Sequence, residues 1–199
     1  LYYAVNAWIG QFRGGLAMAT VGACALFAAI SGSSLATVAT LGKVAWPEMQ
    51  RYKYDVALST GAIAAGGSMG ILIPPSTVLI IYGVITEQSI GKLFMAGFVP
   101  GMMEALFYII VIIILTTKNP ALGPPGPKTP FVGKLKALGK CWEVIIIFLL
   151  VIGGIYAGKF TPTEAAGIGA FAALVFTAIR RKLSLRVYTA ACEDTIPPV

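Results

Sequence analysis

The chain contains no histidine. That absence removes a Ser-His nucleophile pair, a zinc-binding His-Glu-x-x-His helix and histidine proton relays from its 199 residues. Charge is scarce as well. Charged residues make up 12% of the chain, about half the fraction usual in soluble domains, and only 8 of them are acidic. Glu104 sits within an apolar run, where it either faces a cavity or snorkels toward the outer interface, while Asp55 and Glu143 fall at the edges of such runs. A membrane-embedded hydrolase therefore finds little support. Cys24, Cys141 and Cys192 are far apart and form no C-x-x-C pair, so neither a metal site nor a disulfide framework is suggested.

Apolar residues fill the space these absences leave. They make up 57% of the chain, and the mean hydropathy is +0.84, which places it among polytopic membrane proteins. The net charge of +7 does not point to nucleic acid. The basic residues flank apolar runs instead of forming a stripe, so they report membrane topology.

The chain is organised around Gly66-Gly67-Ser68-Met69-Gly70-Ile71-Leu72-Ile73-Pro74-Pro75-Ser76. Two apolar runs, Val56–Ala65 and Thr77–Thr86, flank it and together are long enough to cross a bilayer. Adjacent prolines remove two backbone donors and clash with the preceding turn, so a continuous helix cannot pass. The pattern predicts two half-helices joined by unwound backbone, as in the ion and substrate sites of secondary transporters. A simple proline kink is the plainer alternative.

Taken in order, residues 1–15 read as an interfacial helix carrying Tyr2, Tyr3 and Trp8, ended by Gly14-Gly15. Residues 16–44 read as a re-entrant hairpin, with two short apolar arms, Leu16–Ile30 and Leu35–Leu41, around the tip Ser31-Gly32-Ser33-Ser34. The alternative is one long helix whose serines bond back to their own carbonyls. Residues 45–90 hold a polar cytoplasmic segment, Ala45–Asp55, and then the discontinuous helix. A full transmembrane helix is expected over 91–117. A cytoplasmic loop follows over 118–141, Pro-rich and then a short basic interfacial helix. Two more crossings occupy 142–182, the second capped by Thr161 or Thr163 with Glu164 near its positive end. A cytoplasmic tail covers 183–199. The fold class is thus an all-α polytopic membrane protein with a re-entrant hairpin, one discontinuous helix and about three full crossings. Beginning at Leu1 and closing on Ile196-Pro197-Pro198-Val199, the sequence is expected to be an internal piece of a longer protein.

With the hairpin in place, all of the 15 basic residues except Lys92 and Lys159 share one face, which the positive-inside rule makes cytoplasmic. If Leu16–Leu41 crossed once, only Arg13 would change sides, so charge separates the two topologies weakly.

Both interruptions are expected at membrane depth, and serine hydroxyls and freed carbonyls are hard oxygen donors suited to Na⁺. Ser31, Ser33, Ser34 and Thr37 with Gly67, Ser68 and Gly70 are the candidate Na⁺ ligands. The half-helix starting at Ser76 or Thr77 presents free N–H groups and a positive dipole end to a carboxylate. Gly32, Ser34, Pro74, Pro75, Ser76 and Thr77 are therefore the candidate substrate-binding residues.

The run GGSMGILIPPSTVLIIYGVITEQSIGKLFMAGFVPG (Gly66–Gly101) closely resembles the signature region of the large membrane subunit, DctM-like, of tripartite ATP-independent periplasmic (TRAP) transporters. ACALFAAISGSSLATVATLG (Ala23–Gly42) resembles that family's preceding hairpin, and FTPTEAAGIGAFAAL (Phe160–Leu174) a later helix start. Ala191–Val199 departs from it. The resemblance implies an elevator-type importer of inverted repeats in the bacterial inner membrane, a small DctQ-like membrane subunit, and a periplasmic binding protein delivering a carboxylate, driven by Na⁺ as coupling ion with no organic cofactor. Only part of both repeats would be present. A related Na⁺/anion carrier without a binding protein is the alternative within transport, and a non-transporting membrane scaffold the alternative outside it. Single-cysteine labelling tests the topology: Gln11 and Glu48 are expected to report the same, cytoplasmic side, and opposite sides rule the hairpin out.

Overall fold

The computed structural model describes residues 2–126, 130–139 and 141–179. The tail over 183–199 and the basic residues Lys128, Lys140, Arg180, Arg181 and Lys182 lie outside the described residues. Those described are helical with connecting turns, and no strand occurs among them. The order is α1 (Tyr2–Ile9), α2 (Gly15–Ser31), α3 (Ser34–Arg51), α4 (Val56–Ser68), α5 (Thr77–Ile85), α6 (Ile90–Lys118), a 3₁₀ turn (Pro120–Leu122), α7 (Phe131–Gly139), α8 (Trp142–Tyr156) and α9 (Pro162–Ile179). The chain forms two units, the first ending at Trp142 and the second running on from Glu143.

In the first unit α2 is the central element, packed against α1, α3, α4 and α6. Its sequence explains that place: Ala17, Ala19, Ala23 and Ala28 are fully buried, and small side chains let helix axes approach closely. The large apolar side chains of α5 and α6 face outward instead. Ile81, Val84, Ile85, Val99, Leu106 and Phe107 are all exposed, as lipid contact requires and water does not favour. Among the described residues, α6 alone combines the length and apolarity of a full crossing. Its 29 residues reach about 43 Å, whereas the 15 of α8 reach about 22 Å against a hydrocarbon core of about 30 Å. About three full crossings were expected from the sequence. The first helix after Trp142 ends in a turn at Ala157 and Gly158, the latter at φ +68°, where the sequence reading ended that run.

Helix boundaries depart from the sequence reading in two places. α1 stops at Ile9, and the residues up to Gly14 form turns, with Gly14 left-handed at φ +71° and its N–H donated to Gly123 O. α3 does not stop at Leu41: it continues through Lys43 and Pro47 to Arg51. Polarity after Lys43 signals an aqueous environment, not the end of a helix. The basic face of α7 meets the aromatic α1, with Lys134 Nζ 5.9 Å from the centre of the Trp8 ring.

In the second unit α9 opens with a capping box. Thr161 donates its N–H and hydroxyl to Glu164 Oε2 at 2.8 and 2.9 Å, and Thr161 Oγ1 accepts from Glu164 N at 3.3 Å. Thr161 is therefore the cap.

Tyr54 fastens the loop between α3 and α4 to the start of α2. Its hydroxyl accepts the Leu16 N–H at 3.1 Å, one of the donors a helix start leaves free, and the ring is 3% exposed. Burial pushes the phenol up to about 12, with the Leu16 N–H pulling the other way. Tyr54→Phe leaves a buried N–H unpaired and is expected to destabilise the fold by about 1–3 kcal/mol in denaturant titrations. Because burial makes the folded phenol titrate above the unfolded one, the fold carries no penalty from this group below pH 10 and loses stability as pH rises toward 12 and the buried phenol must ionise. Alkaline unfolding in that window is expected to shift in Tyr54→Phe.

Candidate functional site

The site lies where the turn between α2 and α3 docks on the gap between α4 and α5. α2 ends because Gly32 turns left-handed, at φ +59°, with its N–H donated to Ala28 O at 2.9 Å. Ser33 is extended, and its hydroxyl accepts from Ala36 N at 3.3 Å, capping α3. The two helices pack against each other, so Gly32 and Ser33 are the tip of a helical hairpin.

Beyond α4 the chain tightens before it breaks. Gly70 N donates to Gly67 O, Ile71 N to Ser68 O and Leu72 N to Met69 O, each at 3.1 Å. These three-residue bonds are the tight turns with which helices often end. Pro74 and Pro75, joined by a cis peptide, follow. Ser76 is extended and fully buried; its hydroxyl donates to Ile71 O at 2.6 Å and accepts from Leu79 N at 3.4 Å, capping α5.

Tip and gap are joined through main chain. Gly32 O accepts from both Thr77 N at 3.2 Å and Thr77 Oγ1 at 3.1 Å. A side chain at Gly32 would collide with Pro75 O. One at Gly70 would place its Cβ 2.8 Å from Ser34 N and 2.9 Å from Ser33 C. Only glycine permits either approach.

The predicted oxygens divide accordingly. Ser31 Oγ lies 3.2 Å from Thr37 Oγ1, which donates to Ser33 O at 2.8 Å, so Ser31, Ser33 and Thr37 form one connected cluster. Ser34 Oγ is buried without a hydrogen-bond partner, and Gly67 and Gly70 pack directly against the Ser34 end of α3. Ser68 differs: its side chain turns away from the tip, toward α6. The start of α5 is more occupied than the sequence suggested. The Thr77 N–H goes to Gly32 and the Leu79 N–H to Ser76, so two of its first donors are already engaged.

The partner of Ser68 was not foreseen. Ser68 Oγ stands 2.7 Å from Glu104 Oε1 on α6, and the Tyr108 hydroxyl, one turn further, lies 2.8 Å from the same oxygen and 3.1 Å from Ser68 Oγ. α6 approaches closely because Gly97 and Gly101 carry no side chain: a Cβ at either would stand 2.7 Å from Leu72 O or Ile73 Cγ1. The small-x-x-x-small spacing of Gly97 and Gly101 on the face that carries Glu104 was the available signal.

The sequence matches a known family over nearly the whole chain. Residues 1–197 fit the model of the tripartite ATP-independent periplasmic transporter, DctM component. The chain belongs to the DctM family. The match takes in most of Ala191–Val199, whose likeness to the family the sequence reading did not see. The chain is 44% identical over 183 residues to the C4-dicarboxylate TRAP transporter large permease protein DctM of Pseudomonas aeruginosa, covering 90% of this chain and 42% of that protein. It is 36% identical over 192 residues to the ectoine TRAP transporter large permease protein TeaC of Halomonas elongata, covering 96% and 44%. Against the sialic acid TRAP transporter large permease protein SiaM of Vibrio cholerae it is 33% identical over 189 residues, covering 94% and 44%. This DctM chain thus spans less than half the length of those relatives.

The docking contacts make a mutational test. Gly32→Ala and Gly70→Ala are each expected to destabilise the fold by about 2 kcal/mol or more, from left-handed strain at the first and backbone overlap at the second. Gly61→Ala on α4, with nothing within 4 Å, is expected to be neutral or stabilising by up to about 1 kcal/mol. Denaturation midpoints of the three variants check the ranking.

Proposed function

We propose that this chain is part of the large permease of a Na⁺-coupled secondary transporter that imports organic acids across the bacterial inner membrane. A small DctQ-like membrane subunit and a periplasmic binding protein complete the transporter, the binding protein delivering the carboxylate. Family membership supports the partners. The relatives move dicarboxylate, ectoine or sialic acid by name, so the substrate class proposed is the broad one, a small solute bearing a carboxylate.

One observation carries the ion site: Ser34 Oγ is buried and unpartnered at the point where the tip meets the gap. A hydroxyl left bare at such a depth costs free energy unless something fills its lone pairs. The proposed ligands with it are the oxygens of Ser31, Ser33 and Thr37, which form one cluster, and the main chain at Gly67, Ser68 and Gly70, of which Gly67 and Gly70 pack against the start of α3. All are neutral donors, which suit a monovalent cation. On this reading Ser68 contributes through its carbonyl, since its hydroxyl faces Glu104. Pro74 and Pro75 hold the gap open, while Gly32, Ser34, Ser76 and Thr77 border the space for a carboxylate at the start of α5. In the elevator reading this docked pair moves as part of a transport domain, the hairpin entering and leaving on one side of the membrane.

Ser34→Ala removes one oxygen from the cation. It is expected to raise the Na⁺ concentration for half-maximal uptake about tenfold to a hundredfold, from a lost contact of about 1.5–3 kcal/mol, with maximal uptake restored at high Na⁺. Pro75→Ala lets α4 and α5 partly rejoin and is expected to weaken Na⁺ and substrate together. Uptake against Na⁺ at matched membrane expression separates the two. Unchanged Na⁺ dependence in Ser34→Ala makes the serine a packing residue.

A further inference from the structure

α7 exposes the side that an amphipathic helix of a soluble protein buries. Phe131, Val132, Leu135 and Leu138 form one apolar stripe along its 9 residues, and all four are exposed. Gly133, Lys134 and Ala137 are half-buried, so the small side packs against α1 and the large one is left bare. Lys134 and Lys136 border the stripe, one along each edge. α1 and the turn after it add aromatic rings and a third cation: Tyr3, Trp8, Phe12 and Arg13 are exposed, and Lys134 Nζ lies 5.9 Å from the centre of the Trp8 ring. Two backbone bonds tie the loop before α7 to this end of α1. Gly14 N donates to Gly123 O and Gly126 N to Gly10 O, each at 2.9 Å.

The sequence here carries charge of one sign. Residues 1–47 and 105–142 contain no Asp or Glu, while the second stretch holds Lys118, Lys128, Lys134, Lys136 and Lys140. Neither Lys134 nor Lys136 has an acidic partner among the described residues. Membrane topology accounts for lysines near the cytoplasmic ends of crossings. It does not account for an apolar stripe edged by lysines and turned away from the protein. Nor are 9 residues enough to hold a helix in water, so α7 depends on what lies along both its sides. A lysine whose stem runs beside such a stripe carries its ammonium up to the level of the phosphates. We propose that α7, with the Trp8–Arg13 end of α1, is a docking surface for anionic phospholipid: the stripe enters the acyl boundary, and Lys134, Lys136 and Arg13 hold the headgroup phosphates. This surface requires only that the chain lie in a bilayer, and it stands or falls apart from the ion and substrate sites.

The test places a fluorescent label on Leu135→Cys in the full permease, otherwise free of cysteine, in vesicles of two parts phosphatidylcholine to one part phosphatidylglycerol. Brominated acyl chains, carried by one lipid or the other, quench the label where they touch it. Phosphatidylglycerol is expected to be preferred about fivefold or more over phosphatidylcholine, and the preference to fall within about twofold in about 1 M salt. Lys134→Gln with Lys136→Gln is expected to abolish it, and Lys134→Arg with Lys136→Arg to keep it, which separates lost charge from lost folding. Equal quenching by both lipids overturns the proposal. Quenching by neither shows the stripe packed on protein and overturns it too. A preference abolished by inorganic phosphate, but not by chloride of equal ionic strength, marks a site for the free anion and also overturns it.

Discussion

Main-chain groups that lose their helical partners inside an apolar layer must find others, and the rest of this structure depends on how that is done. Pro74 and Pro75 deny α4 a continuous path into α5. The helix end is repaired locally by the turn bonds over Gly67–Ile73, and the restart by Ser76. What local bonds cannot reach, the hairpin tip supplies: the Gly32 carbonyl takes both donors of Thr77. A carbonyl at a helix end and an N–H at a helix start have opposite partial charges, so each satisfies the other's deficit. The small residues of α2 and the glycines of α6 follow from this. Both helices must come close enough to seal the break from lipid.

The break and the tip were legible because their signals are local. Gly-Gly, Pro-Pro-Ser and Ser-Gly-Ser-Ser are conformational statements about the residues that carry them. The capping of α9 was legible to within one choice, Thr161 or Thr163, for the same reason. The end of α3 was not. From Lys43 onward, side-chain polarity tells where water is, and a helix leaving the apolar layer changes its surroundings without changing its backbone. Pro47 gave no reliable stop either, since it lies inside α3 with the helix continuing to Arg51.

Ser68 shows the limit of local reading most sharply. Its position at the break was plain, and the residue was named with Gly67 and Gly70 among the candidate ligands of the ion. Which way it points is decided 36 residues later, by Glu104, and by the glycines that let α6 approach. A hydroxyl and a carboxyl so far apart in sequence leave no periodic trace. The result is a turn with two chemically distinct sides: neutral main-chain oxygens beside the tip, and an acid–hydroxyl chain beside α6.

That division bears on how a cation and an anion can share the gap. No residue from Ser31 to Thr37 or from Val56 to Thr86 carries a formal charge. In the proposed transporter, a lone Na⁺ among the tip oxygens would place an uncompensated charge in a low-dielectric region, a cost of several kcal/mol that good coordination would only partly offset. A carboxylate at the proposed position by the start of α5 would cancel it, so each ligand would favour the other through their mutual attraction.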